Sequence, residues 1–377
     1  MPGPLPASAR APSPYPAEIG SLTALRFLAL GWVVVNQFRD HLGLDLGHRS
    51  GLIFNGYLGV DLFFILSGFQ LAQLFVREVE TGRQGYASLV WRRMARIYPL
   101  HLATMAAMGV LLAAAVRLGS APRTDVFDAV GLLANILMVH AWSALPTVSW
   151  NFPSWAASAE WFALLVFPAA FWLATKGWSR AVVAVAAPIA LFAAMFEAAG
   201  AHNVLFTDMT AQIGILRTIP DFLLGAGLYR LGCERGLPRG WGAVMAATSL
   251  GWIFVACQLS WPDLYIWPAF GALVFGLAET SRQGPSVLGA RPLVWLGELS
   301  YAMYLVHLPV DIAYFHGVER LIGTPTGPMV WLVWLGVFPV IGLVTLIAHY
   351  GLERPVARWL ERRDPFAAGT KDILAAA

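Results

Sequence analysis

Lysine is almost missing from this chain: two of 377 residues, Lys176 and Lys371, against 23 arginines. Charge of any sign is scarce, with Asp, Glu, Lys and Arg together at 12%, where a soluble globular chain carries about 25%. That scarcity excludes a disordered protein, a coiled coil and an ordinary cytosolic enzyme. Cysteine is scarce too. Cys233 and Cys257 lie in or beside apolar segments at no metal-type spacing, which gives no support to a disulfide framework or a zinc site. A fixed-period repeat is also missing. What fills the chain is apolar, 58% of all residues, with a mean hydropathy of +0.63. The net charge of +3 therefore does not point to nucleic acid. The composition points to a polytopic membrane protein.

Residues 1–18 are rich in Pro, Ala and Ser and carry one basic residue, Arg10. They have neither the apolar core nor the cleavage site of a signal peptide and read as a disordered cytoplasmic lead-in. Beyond them, apolar runs occur near 22–38, 55–76, 98–116, 126–144, 157–174, 181–198, 213–231, 240–258, 264–279, 293–314 and 328–350. Each approaches the length of about 20 residues that crosses a bilayer. The arginine distribution tests the count, because short cytoplasmic loops collect Lys and Arg. If only one of the runs 126–144 and 157–174 crosses fully, 18 of the 25 basic residues lie inside and five outside, with Arg26 and Arg217 in spans. The expected fold is an all-α integral membrane protein. It has ten transmembrane helices, cytoplasmic N- and C-termini, and a short re-entrant or interfacial segment near 126–160. Its membrane domain covers 19–363 and its cytoplasmic tail 364–377.

Ionisable groups inside spans are costly unless they face protein or water, so each is a functional candidate. Arg26 lies in the first span, Asp61 in the second, and Glu160 opens the run at 157–174. Arg217 and Asp221 are four apart and can pair on one helix face. Glu298, His307 and Asp311 punctuate GELSYAMYLVHLPVD. Buried pairs of this kind also serve simply to fix helix register. Before the third span, WRRMARIYP places Arg92, Arg93 and Arg96 on one helical face, with Pro99 read as the entry to the next helix. A cluster of guanidinium forks suits phosphate, and equally suits topological anchoring to anionic lipid.

Seven strings in order are SLTALRFLAL, GYLGVDLFFILSGF, WRRMARIYPLH, FPSWAASAEWFALLVFP, RTIPDFLLGAGLYRL, LGELSYAMYLVHLPV and GLERPVARWL. Together they resemble the acyltransferase 3 family of integral membrane acyltransferases. The resemblance implies transfer of an acyl group, commonly acetyl, from cytoplasmic acyl-CoA to a hydroxyl. The acceptor it implies is a glycan or another exported or lipid-linked molecule. It also implies a multi-pass protein of the bacterial inner membrane; the cysteine spacing and the charge, read above, point to no metal and no nucleic-acid partner. Carried over by motif, Arg26, Arg93 and Arg96, with neighbouring Arg92, become acyl-CoA-binding candidates. Asp61 and Glu160 become catalytic candidates. Trp155 matches the family tryptophan, and the family's second serine is Ala156 here.

The larger departure is in the first span. The resemblance places a catalytic histidine eleven residues after Arg26, and the chain has Gln37 there. Glutamine has no basic nitrogen. His41 lies one turn further on, about 6 Å along a continuing helix. Three readings follow: His41 supplies the base, another histidine such as His140 or His307 does, or the usual chemistry has been lost. In the first, Asp61 orients a histidine and Gln37 donates a hydrogen bond to the developing oxyanion. Trp155 and Trp161 read as acceptor-channel or interfacial-belt residues. Tyr301 and His307 read as acceptor-binding groups or as a packed seam. Glu353–Arg354 reads as an interfacial salt bridge. A transporter or flippase, and a non-catalytic homologue, are the competing classes.

Overall fold

The computed structural model describes residues 13–43, 50–82, 84–119, 127–142, 150–174, 178–201 and 214–367. Lys176, Lys371, residues 1–12 of the lead-in, 143–149 of the expected re-entrant piece and 368–377 of the tail lie outside the described residues. Among the described residues every regular element is helical. The principal helices are α1 (Gly20–Phe38), α2 (Gly59–Leu74), α3 (Tyr86–Arg117), α4 (Ala129–Ile136), α5 (Trp155–Ala174) and α6 (Trp178–Ala201). They continue as α7 (Gly214–Glu234), α8 (Trp241–Gln258), α9 (Asp263–Gln283), α10 (Arg291–Ile322), α11 (Pro328–Ala348) and α12 (Arg354–Glu361).

Six stretches among the described residues are helical, long and apolar enough to cross a membrane: Gly20–Leu42, Gly51–Glu80, Tyr86–Arg117, Trp241–Gln258, Arg291–Ile322 and Pro328–Glu361. The chain is a multi-pass membrane protein. Large apolar side chains stay exposed on its outer helices, among them Leu250 and Phe254 on α8 and Leu332 and Leu343 on α11. In water such faces would aggregate; against acyl chains they are solvated. Helix α4 is different. Its eight residues rise only about 12 Å, less than half the hydrocarbon thickness. The run 126–144 therefore does not form a full-length helix. Asp128 caps α4 by accepting the Gly131 N–H, and the segment after it turns inward to bury Met138, His140 and Ala141.

Helix α3 corrects one expectation. Pro99 does not open a new helix; it sits inside a continuous 32-residue one that begins at Tyr86 and carries the arginines. A proline costs a helix one backbone bond, and within a bundle neighbours can make good the loss. The bond lost here is the one to the Ala95 carbonyl; two residues before the proline, the Tyr301 hydroxyl of α10 donates to the Ile97 carbonyl at 2.8 Å and ties α3 to α10.

Two close parallel crossings position the interior. Helices α2 and α7 meet at Gly68 and Gly225. A Cβ at Gly225 would stand 2.1 Å from the Ile65 carbonyl oxygen, and one at Gly68 would stand 2.3 Å from that of Phe222. Small residues let the backbones touch where lipid supplies no hydrophobic drive. Helices α1 and α10 run side by side from Thr23 and Gly297 at one end to His41 and Asp311 at the other. One residue anchors the described part of the lead-in: Tyr15 is buried, donates to Glu279 at 2.6 Å and sits edge-on to Phe69. Burial and the neighbouring carboxylate push its phenol far above the ordinary value.

Candidate functional site

A cavity of about 720 Å³ opens where the starts of α1, α3 and α10 meet the end of α2. Arg26, Arg77, Arg92, Arg93 and Arg96 line it together with Tyr301 and six glutamates, Glu18, Glu78, Glu160, Glu298, Glu353 and Glu361. Eight of the residues singled out in the sequence, Arg26, Arg92, Arg93, Arg96, Glu160, Glu298, Tyr301 and Glu353, are thus brought into one space. The local reason is the spacing Arg92, Arg93, Arg96 on α3, which turns one helical face toward the cavity. Arg93 reaches Glu160 at 3.4 Å, and Arg92 lies 3.8 Å from Asp364. Arg26 is only half-buried as a residue, yet its Nε is shut off from water and has no hydrogen-bond partner. An unpaired buried donor costs roughly 1–3 kcal/mol, so this position favours a hydrogen-bond acceptor beside the guanidinium.

Asp61 stands elsewhere. Its carboxylate is held bidentately by Arg217, from Nε at 2.8 Å and from Nη2 at 2.6 Å, and both side chains are only 2% exposed. This corrects two expectations. Arg217 pairs across the α2–α7 crossing rather than along its own helix with Asp221, whose carboxylate instead accepts from the Trp267 indole. And Asp61 orients an arginine, not a histidine. The geometry is the one a guanidinium fork matches best: Asp61 meets it from across the crossing and takes two of its donors at once. Trp155 completes this cluster, buried beneath the Arg217 guanidinium at 5.5 Å and edge-on to Phe64. It does not line the arginine cavity. Trp161 is half-buried and packs on Ile97, Met138 and Ala157.

A third group gathers at the far end of α1. His41 bonds through Nε2 to Oδ1 of Asp311 at 2.8 Å, and its ring stacks on Phe315 with centroids 3.6 Å apart and planes 8° apart. Gln37, one turn earlier, is half-buried and makes no hydrogen bond to a described residue. His307 lies one turn before Asp311 on α10. It is buried, donates from Nδ1 to the Tyr304 carbonyl and meets Phe38 edge-on. His140 is buried in the turn after α4, where it bonds to Ser154 at 3.1 Å and stacks on His101.

Some residues of these clusters carried no sequence signal. Arg77, Gln70 and Gln73 join the cavity because α2 ends there. Glu353 also lines it and is bonded to His349 at 3.0 Å, so it forms no clamp with Arg354, which instead stacks on Tyr350. The partner of His41 is 270 positions away along the chain. Only the rule that a carboxylate inside a span needs a partner marked Asp311 beforehand.

Comparison with known proteins bears on this arrangement. The profile of a family described as an acyltransferase domain matches residues 19–349. Acyltransferase MdmB of Streptomyces mycarofaciens is 31% identical over 388 aligned positions, covering 94% of this chain and 95% of that protein. The exopolysaccharide production protein ExoZ of Rhizobium meliloti (strain 1021) is 27% identical, covering 84% of this chain and 94% of that protein. No solved structure matches.

Proposed function

The chain belongs to this acyltransferase family, the one its motifs resemble, and on that premise we propose that it moves an acyl group, acetyl in the first instance, from cytoplasmic acyl-CoA to a hydroxyl. The observation that carries the reading is the arginine-lined cavity. Its 720 Å³ falls in the size range of small-molecule and cofactor sites, and Arg26, Arg92, Arg93 and Arg96 offer the charge and the forks that phosphates take. The CoA phosphates lie against these four residues, and the pantetheine arm runs along α1 toward His41. The distance from Arg26 to His41 along a helical rise is about 22 Å. At its far end a hydroxyl loses its proton to a base as it attacks the thioester carbonyl. The C–S bond breaks, and the leaving sulfur takes a proton to become the CoA thiol.

The base in this reading is His41, with Gln37 placed one turn away to donate its amide N–H to the developing oxyanion. Glu160 holds Arg93 in place rather than touching the reacting atoms. The acceptor class is a hydroxylated glycan or small exported molecule, a reading supported by the exopolysaccharide function in the name of one relative. The chain crosses the bacterial inner membrane ten times with both ends cytoplasmic. Support for that orientation is the 18-to-5 arginine and lysine split and the shortness of α4.

The test is a thiol-release assay on the purified full chain with acetyl-CoA, with and without an extract of hydroxylated acceptors, alongside direct acetyl-CoA binding. Binding together with acceptor-dependent CoA release is the expected result. Binding with no release identifies a non-catalytic homologue, for which Gln37 is the specific observation. Neither binding nor release removes the enzyme reading and leaves transport.

A further inference from the structure

The contact between the end of α1 and α10 has a construction that a register-fixing ion pair does not require. We infer that Asp311 is the positioning residue for His41, and that the two act as one proton-handling unit in the acyl transfer. The inference rests on the proposed acyltransferase reading.

Two independent constraints fix the imidazole. The 2.8 Å bond to Asp311 Oδ1 sets its rotation within the ring plane, and the flat stack on Phe315, 3.6 Å away and 8° from parallel, sets the plane itself. The pair is also asymmetric in exposure. Asp311 is 13% exposed, whereas His41 is 30% exposed, so the carboxylate is sheltered and the ring stays reachable. An ionised carboxylate only accepts. The proton of neutral His41 therefore sits on Nε2, and Nδ1 is left with the free lone pair that a base needs.

Among the described residues the surroundings add no rival carboxylate. Arg39 and Asp40 on the same turn pair with each other at 3.3 Å, and Asp40 faces solvent with 76% exposure. Helix α10 contributes Asp311 and His307, whose Nδ1–H is taken by the Tyr304 carbonyl. Helix α11 contributes Phe338 and Trp334, which pack around Phe38. The other histidine–carboxylate pair among the described residues, His349–Glu353, is closed: both side chains are 6% exposed and both belong to one helical turn. The open, doubly fixed pair is His41–Asp311. It stands one turn beyond Gln37, where the motif expects a histidine and the chain has none.

In the step this implies, the acceptor hydroxyl gives its proton to Nδ1 of His41 while its oxygen bonds to the thioester carbon. The C–S bond then breaks, and the imidazolium returns the proton to the departing sulfur. Asp311 stays ionised throughout and stabilises the transient imidazolium. The products are the ester and the CoA thiol, with no net proton change.

The test compares His41→Ala, Asp311→Asn, Asp311→Glu and the His41→Ala/Asp311→Asn double variant of the full chain, using acetyl-CoA as the probe for both binding and acceptor-dependent thiol release. Asp311→Asn is expected to lower kcat about 100-fold while the KM for acetyl-CoA moves less than about twofold. Asp311→Glu recovers most of the rate, and the double variant is no slower than His41→Ala. Wild-type kcat in Asp311→Asn beside an inactive His41→Ala overturns the role of Asp311 and leaves the acyltransferase reading intact. Loss of acetyl-CoA binding together with turnover in Asp311→Asn marks a structural pair and also overturns it, as does full turnover in His41→Ala. Absence of CoA release by the unmodified protein is the separate failure of the underlying reading.

Discussion

Arg217 and Asp61, each 2% exposed and joined by two hydrogen bonds, are the most committed ion pair among the described residues. Breaking such a pair leaves an uncompensated buried charge, and Asp61→Asn is expected to destabilise the protein by about 3–5 kcal/mol. Replacing both partners, as Asp61→Leu with Arg217→Met, is expected to cost less than the single change, because no bare charge remains. Thermal unfolding of the three purified variants checks the order. In the cavity the expectation is different. Arg93→Ala and Arg96→Ala each lose charge-assisted bonds worth about 1.5–3 kcal/mol and are expected to raise the KM for acetyl-CoA about tenfold or more. Arg96→Lys restores the charge without the fork and recovers only part of the affinity. Steady-state kinetics over a range of acetyl-CoA concentrations reads both effects. The sequence marked Asp61, Arg217 and the three arginines as misplaced or clustered charges. It did not reveal that Asp61 meets Arg217 from 156 positions away, because a pair formed across a helix crossing leaves no local spacing behind.

At the scale of elements, the α2–α7 crossing carries the Asp61–Arg217 pair and holds α2, whose last turns line the cavity. A side chain at Gly225 would overlap the Ile65 carbonyl, only 2.1 Å from its Cβ. Gly225→Val is therefore expected to cost about 1–3 kcal/mol or more through overpacking, and to lower the melting temperature and the acetyl-CoA affinity together. Gly251, which has nothing within 4 Å of an added Cβ, is the matched control: Gly251→Val is expected to leave both unchanged. Helix existence was legible from apolar runs, since nearly every run contains a helix of the structure. Helix ends were less so. Pro99 looked like a boundary because proline breaks isolated helices, yet α3 passes through it inside the bundle at the loss of one backbone bond. The eight residues of α4 explain why two adjacent runs, 126–144 and 157–174, gave only one long helix.

For the whole molecule, the proposed orientation places the arginine cavity on the cytoplasmic side, where acyl-CoA is made, and the His41–Asp311 end toward the outside. Single cysteines introduced into a chain lacking Cys233 and Cys257 can test it in intact cells. Gly82→Cys is expected to be shielded from a membrane-impermeant thiol reagent and Gly323→Cys to be labelled; the reverse pattern contradicts the orientation. The motifs in order gave the family from sequence alone, because charged residues inside spans are few and their neighbours distinctive. They did not give the division of those residues into three separate clusters, which follows from how α1, α2, α7 and α10 cross. The central claim is that the arginine cavity binds the acyl donor for transfer. It is tested most directly by acceptor-dependent CoA release from acetyl-CoA, measured on the purified wild type and on Arg93→Ala/Arg96→Ala at equal concentration. The account predicts turnover by the wild type and, in the double variant, recovery of rate only at much higher acetyl-CoA. Release that is equally strong in both proteins at low acetyl-CoA would contradict it.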